Sequence, residues 1–142
     1  EILGNKKGPP PEINLFNEKN NGESLLELIN KKLIISCHDI SVGGLLINLA
    51  EMSIAGNIGV KIDMPKTLIN PIEYFFSEDQ SRYIIEIDEV NLDSVTKILN
   101  KNSVFFENIG KTQKEKLTLN KEFEINIEDM KEINNRWFKK YI

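Results

Sequence analysis

The sequence predicts an α/β domain in which a mixed sheet is covered by helices. Segments with helical spacing of apolar residues interleave with short alternating or wholly apolar segments, the order expected when helices pack over a sheet. The last three strand-like segments are joined by short polar turns, which permit antiparallel pairing and make the sheet mixed. With 142 residues, 40% hydrophobic and 28% charged, the chain has the length for one core and the composition of an ordinary globular domain.

Residues 1–17 read as an extended linker, followed by a single domain over residues 18–142. Pro9, Pro10 and Pro11 exclude helix and favour an extended run. Residues 23–31, ESLLELINK, carry helical spacing at Leu25, Leu28 and Ile29, and the apolar run LIIS, 33–36, suits a buried strand. Ser41 to Ala55 is the strongest helix, with Val42, Leu45, Leu49 and Met52 on one stripe. Ser41 is placed to cap its start and Gly56 to end it. IGVKIDM, 58–64, alternates like a strand, and Pro65 to Phe76 reads as irregular or a short helix. Tyr83, Ile85 and Ile87 alternate with Ile84, Glu86 and Asp88 in a further strand. Asn91 then caps a helix bearing Leu92, Val95, Ile98 and Leu99. Strands follow at 104–111, 116–119 and 122–127. A last helix sets Met130, Ile133, Trp137 and Tyr141 on one side, with Lys139 and Lys140 at its carboxyl end.

Composition narrows the function classes. A net charge of -4 gives no reason to expect nucleic acid or an anionic membrane as partner. No apolar run approaches the roughly 18–20 residues needed to span a bilayer, and the polar, proline-rich start shows no signal peptide. The single cysteine, Cys37, cannot form an intrachain disulfide and fits a reducing, cytoplasmic compartment. The first residue is Glu1, which is read as a removed or missing start, or as a fragment of something longer. Of 18 basic residues only Arg82 and Arg136 are arginine. Either is a place where a planar bidentate fork is needed that lysine cannot supply, or a chance survivor of a lysine-rich composition.

Two segments could carry chemistry. In Ser36-Cys37-His38-Asp39-Ile40-Ser41-Val42-Gly43-Gly44-Leu45 a strand gives way to a helix within a few residues. Asp39 and Ser41 can accept from free backbone N–H groups, Gly43 and Gly44 let a backbone or a ligand approach, and a helix start favours an anion such as phosphate. Tight packing alone also accounts for the pattern. His38 reads as a structural histidine held by Asp39 or backbone, or as a general base if a substrate comes within reach. Cys37, at the end of an apolar strand, reads as a small buried hydrophobe. The second segment is Ser77-Glu78-Asp79-Gln80-Ser81-Arg82. Glu78 and Gln80 offer acceptors and an amide suited to a sugar phosphate, and Arg82 can fork onto phosphate, or onto Glu78 or Asp79 to brace the loop. These segments yield no set of metal ligands and no catalytic residue.

Read together, SCHDISVGGL, the downstream LAEMSIAGNIGVKID, FFSEDQSRYIIEI, the NIGK turn and the opening GPPPEINL resemble, in order and over nearly the whole chain, the carboxy-terminal half of the formylglycinamide ribonucleotide amidotransferase (phosphoribosylformylglycinamidine synthase) family. The resemblance implies the carboxy-terminal α/β fold of the aminoimidazole ribonucleotide synthetase-like superfamily. It also implies a parent ligase that converts formylglycinamide ribonucleotide, ATP and glutamine-derived ammonia to the amidine. ATP and Mg2+ are then bound mainly in preceding domains of the same polypeptide. The further partners implied are a glutaminase domain or subunit and a small bridging subunit.

On that resemblance the tentative phosphate or ligand residues are Ser41, Gly43, Gly44, Glu78, Gln80 and Arg82, with His38 and Asp39 as motif residues. Val42 stands where the family carries an acidic or polar residue, which removes a carboxylate able to order a metal-bound phosphate. The fragment is expected to be structural or an auxiliary phosphate site, inactive alone, with an apolar surface that its neighbours cover. The competing readings are another ATP-dependent enzyme of the superfamily, aminoimidazole ribonucleotide synthetase or selenophosphate synthetase, and a non-catalytic scaffold or dimerisation module.

Overall fold

The computed structural model describes residues 12–64, 70–120 and 122–138. The elements run α1 (Leu15–Asn30), β1 (Ser36–Asp39), α2 (Gly44–Gly56), β2 (Gly59–Ile62), α3 (Pro71–Phe76), β3 (Tyr83–Glu86), a 3-10 turn at Glu89–Asn91, α4 (Leu92–Lys101), β4 (Gly110–Gln113), β5 (Lys116–Leu119), β6 (Phe123–Asn126) and α5 (Ile127–Phe138). The expected interleaving of helices and strands is present, with a mixed sheet. The strands nevertheless divide into two sheets rather than one. β1 and β3 form an antiparallel pair, while the four-stranded sheet has the order β4-β2-β5-β6. In the latter, β2 runs parallel to β5 and the other pairs are antiparallel.

The chain divides into two compact units. The first contains the described residues up to Ile40 together with Glu78–Phe105; the second contains Ser41–Ser77 and the residues from Phe106 onward. In the first, Leu28, Val95, Ile98 and Leu99 form a buried cluster against which Leu33, Ile34, Ile85, Ile87 and Val104 pack. The helical stripe read on α4 is therefore a core face. In the second, Leu45, Leu49, Ile62, Phe75, Leu117, Leu119, Ile127 and Met130 are buried.

Several boundaries move, each for a local reason. α1 begins at Leu15, inside the expected linker of residues 1–17, because Asn14 caps it, its side-chain oxygen accepting from the N–H groups of Phe16 and Asn17 at 3.1 Å. The proline run at 9–11 lies outside the described residues, as do Lys139, Lys140 and Tyr141. The apolar LIIS run is not itself the strand. Leu33 and Ile34 pack on the α4 cluster and the strand starts at Ser36, leaving Cys37 exposed rather than buried. The strand expected at 104–111 instead runs over Gly110–Gln113, overlapping the expected span only at Gly110 and Lys111. Ile133, expected on the packed side of α5, is exposed. α2 begins at Gly44 rather than at Ser41, and its carboxyl end is turned by Asn57 in a left-handed conformation, one residue past Gly56.

Gly43 and Gly44 hold φ of +86° and +71°, a region that costs a side-chain-bearing residue roughly 1–2 kcal/mol. A Cβ on Gly44 would also lie 2.7 Å from backbone atoms of Phe76. Gly44→Ala is expected to destabilise the domain by about 2–4 kcal/mol, the sum of the backbone strain and an overpacked contact. A urea denaturation midpoint unchanged from wild type would contradict that close approach.

Candidate functional site

The residues singled out above divide between the two compact units. Ser41, Gly43 and Gly44 lie in the second unit; His38, Asp39, Glu78, Gln80 and Arg82 lie in the first.

The turn leading into α2 is organised by a residue that the sequence reading did not single out. Asn48 is fully buried one turn into the helix, and its amide folds back onto the turn. Its Oδ1 accepts from the Ser41 backbone N–H at 3.0 Å and the Ser41 hydroxyl at 3.2 Å. Its Nδ2 donates to the Val42 carbonyl at 3.1 Å and the Gly44 carbonyl at 2.9 Å. The Gly44 N–H donates to the Ser41 carbonyl at 3.0 Å. Ser41 is therefore not the cap; the N-cap is Gly43, with no side-chain cap hydrogen bond. Two left-handed glycines turn the chain so that Ser41 falls outside the helix, and Asn48 satisfies the polar groups this leaves behind. A signal was present: Asn48 is the only amide in the apolar run Leu45-Leu46-Ile47-Asn48-Leu49-Ala50, and a buried amide there requires partners.

This arrangement limits what the turn can bind. The Ser41 and Gly44 N–H groups are engaged internally, Gly44 is closed off by the α3 backbone at Phe75 and Phe76, and the Val42 side chain, 79% exposed, brings no oxygen ligand. Amides of the first helical turn retain the anion preference common to helix starts.

In the first unit, Glu78, Asp79 and Gln80 are exposed on the loop before β3. Arg82 Nη1 lies 3.7 Å from Asp79 Oδ2, and the Arg82 carbonyl accepts from the Ile40 N–H at 2.8 Å. The loop is clamped from α1: Asn21 Nδ2 donates to the Ser81 carbonyl at 2.9 Å and to its hydroxyl at 3.0 Å, holding Ser81 at φ +62°. Asn21 too escaped the sequence reading, because one asparagine within KNNGE carries no distinguishing signal in so asparagine-rich a chain. On β1, His38 Nδ1 lies 2.5 Å from the Asp39 carbonyl oxygen and 3.7 Å from its carboxylate. Asp39 pairs in register with Tyr83, whose hydroxyl pKa is raised, first by burial and then by the nearby Glu18 and Asp39 carboxylates.

A Mg2+–nucleotide requires several oxygen ligands converging on the metal. Among the described residues no group of three or more His, Cys, Asp or Glu side chains is placed to hold a metal ion, and the α2 turn presents no carboxylate. The residues described do not fit that cofactor, and no chemical step is derived through it. Among the described residues no helix is long and apolar enough to cross a membrane.

Comparison with known proteins bears on the whole chain. The family described as AIR synthase related protein, C-terminal domain, matches residues 1–121. The Pelagibacter ubique phosphoribosylformylglycinamidine synthase subunit PurL is 47% identical over 142 residues, covering 100% of this chain and 20% of the relative. The chain thus spans about a fifth of the length of the curated relatives it matches. Thermotoga maritima PurL complexed with FGAR superposes with a TM-score of 0.75 at 21% identity, covering 90% of this chain and 23% of that one. The same protein complexed with ATP gives 0.69 at 21% identity over 81% and 22%, and the T. maritima PurLQS structure gives 0.68 at 21% over 88% and 22%. At these identities the structural matches establish the fold.

Replacing Asn48 by Ala removes both sides of the clamp and strands buried donors and acceptors, a loss expected to cost about 2–4 kcal/mol. The amide resonances of Ser41 and Gly44 should shift strongly. If they stay in place while the protein remains folded, the clamp is not what holds the turn.

Proposed function

We propose, because the chain belongs to the family of AIR synthase related C-terminal domains, that it serves as the carboxy-terminal domain of a phosphoribosylformylglycinamidine synthase. The observation that carries this reading is the 47% identity sustained over the full chain to a PurL subunit of which the chain is 20%. The pairing of His38-Asp39-Ile40-Ser41 and Gly43-Gly44 with Glu78, Gln80 and Arg82 favours that enzyme over aminoimidazole ribonucleotide synthetase or selenophosphate synthetase. The parent converts formylglycinamide ribonucleotide to the amidine. ATP activates the amide oxygen as a phosphate ester, and ammonia released from glutamine displaces the phosphate.

Within that enzyme the domain's own part is structural. Its helix-start turn is held by Asn48, and the loop at Glu78, Gln80 and Arg82 is braced by Asn21 and Asp79. ATP and Mg2+ are assigned to the preceding domains of the polypeptide. The glutaminase and a small bridging subunit are the external partners, a reading supported by the fold shared with the PurLQS assembly of T. maritima. The compartment is the cytoplasm.

The 142-residue chain, given formylglycinamide ribonucleotide, ATP, Mg2+ and ammonia, should form no amidine, whereas the full-length parent should do so with ammonia alone as nitrogen source. Product formed by the isolated chain, or none by the parent, would overturn the assignment. Inorganic phosphate should bind weakly, perturbing amides of residues 40–46 with no enhancement by Mg2+, because the turn supplies no carboxylate. Chemical-shift titration reads this directly: shifts confined to other loops would remove the site, and a strong Mg2+ effect would contradict the role given to Val42.

A further inference from the structure

Asn21 is followed by Gly22, the one Asn-Gly pair in the sequence. An asparagine so placed can lose its amide, because the backbone nitrogen of the next residue attacks the side-chain carbonyl carbon. The new N–Cγ bond closes a cyclic imide, the Cγ–Nδ2 bond breaks, and the side-chain nitrogen leaves as ammonia. Water then opens the imide at either carbonyl, giving aspartate or isoaspartate. Glycine, with no Cβ, offers the least hindered nitrogen for this attack. While α1 is intact the reaction is held off in two ways. The Gly22 amide is engaged with the carbonyl four residues back, as in any α-helix. Asn21 Nδ2 donates to the Ser81 carbonyl at 2.9 Å and to its hydroxyl at 3.0 Å.

The half of α1 that carries this pair is weakly held. Asn17, Asn20, Asn21 and Gly22 are poor helix formers. Leu15 and Phe16 are exposed, and the buried residues of the helix, Ser24 and Leu28, lie beyond Gly22. A helical segment that buries no apolar side chain opens locally at low free energy. We infer that Asn21–Gly22 is a deamidation site, latent while α1 is formed and reactive when its amino-terminal half opens, whose products unclamp the loop at residues 78–82. Aspartate at position 21 has no N–H to give, so a carboxylate oxygen would face the Ser81 carbonyl oxygen. It would also set a negative charge one turn from Glu18 on the same side of the helix, where Glu18 Oε2 is already buried with no hydrogen-bond partner. Isoaspartate would in addition insert a methylene into the helix backbone. Ser81 holds φ of +62°, a conformation unfavourable for serine without a holding contact. Once the clamp is lost, the loop bearing Glu78, Gln80 and Arg82 no longer keeps a fixed shape.

The test ages the full-length parent in mildly alkaline buffer, folded and in urea. Conversion to the acid and to isoaspartate is quantified at Asn17, Asn20 and Asn21 by peptide mass spectrometry. Asn21 is expected to convert ahead of Asn17 and Asn20, and at least about tenfold faster in urea than in the folded protein, as a site gated by local opening requires. Gly22→Ala should suppress conversion in both states. Space is open at that position and alanine is the better helix former, so the variant keeps the helix; in urea its methyl group still hinders ring closure. Asn21→Asp should speed hydrogen exchange in the peptide carrying residues 78–82. If that variant does not fold, the converted fraction of the aged folded protein gives the same reading. Conversion spread evenly over these asparagines, or as fast in the folded protein as in urea, overturns the site. Exchange at 78–82 equal to wild type overturns its effect on the loop.

Discussion

Much of the geometry around α2 depends on one buried amide. A strand-to-helix turn built on two left-handed glycines leaves backbone groups that the helix cannot pair. Asn48 resolves the problem by returning its side chain over one helical turn, accepting twice at Ser41 and donating to the carbonyls of Val42 and Gly44. A buried amide is tolerated only when its donors and acceptor are paired. The constraint is reciprocal: Asn48 fixes the turn, and the turn is the environment that permits Asn48 inside an otherwise apolar helix. Gly44 then has to lie against the α3 backbone, which leaves no room for a side chain.

The first unit is tied together by the same kind of chemistry spread more widely. Asn20 and Ser24 on α1 bond Asn102 at the end of α4, through its carbonyl and its Nδ2, and Asn21 separately bonds Ser81 in the loop before β3. Small polar groups at a helix interface specify register more sharply than aliphatic ones, because a shift of one residue leaves several unpaired. Ser81, held at positive φ by Asn21, shows the consequence: the loop conformation is imposed from α1 rather than by its own residues.

The pattern of these contacts explains what could be read in advance. Helix and strand order and the α4 core face of Val95, Ile98 and Leu99 follow from apolar periodicity, a property of single segments, and antiparallel pairing of the closing strands from the short turns between them. The start of α1 at Leu15 was missed because the signal is one capping residue, Asn14, in a stretch dominated by prolines. Cys37 was misplaced because the apolar run Leu33–Ile34 turned out to be a packed connection rather than the strand, shifting which residues alternate. The division of the strands into two sheets depends on pairing between distant segments, which no local window contains. At the site, motif residues were legible as residues, but the partners that set their behaviour, Asn48 and Asn21, were not. Their role lies in what a side chain reaches in three dimensions. Asn48 was nevertheless detectable in principle as a lone amide in an apolar run, whereas Asn21 was not.

The distribution of satisfied and unsatisfied surface indicates what the domain contributes to a larger enzyme. Part of its polar motifs is tied up internally, the α2 turn onto Asn48, Arg82 toward Asp79 and the Ser81 loop onto Asn21, while Glu78, Asp79 and Gln80 stay exposed. Its exposed apolar residues are spread over both units, among them Leu15 and Leu26 on α1, Val90 before α4, Phe105 after α4, and Ile133 on α5. Such a domain can determine where others stand. A turn and a loop held by internal hydrogen bonds keep their shape without ligand, so a neighbour packed against this domain meets a fixed surface, and the precision of an active site built on that neighbour inherits the rigidity.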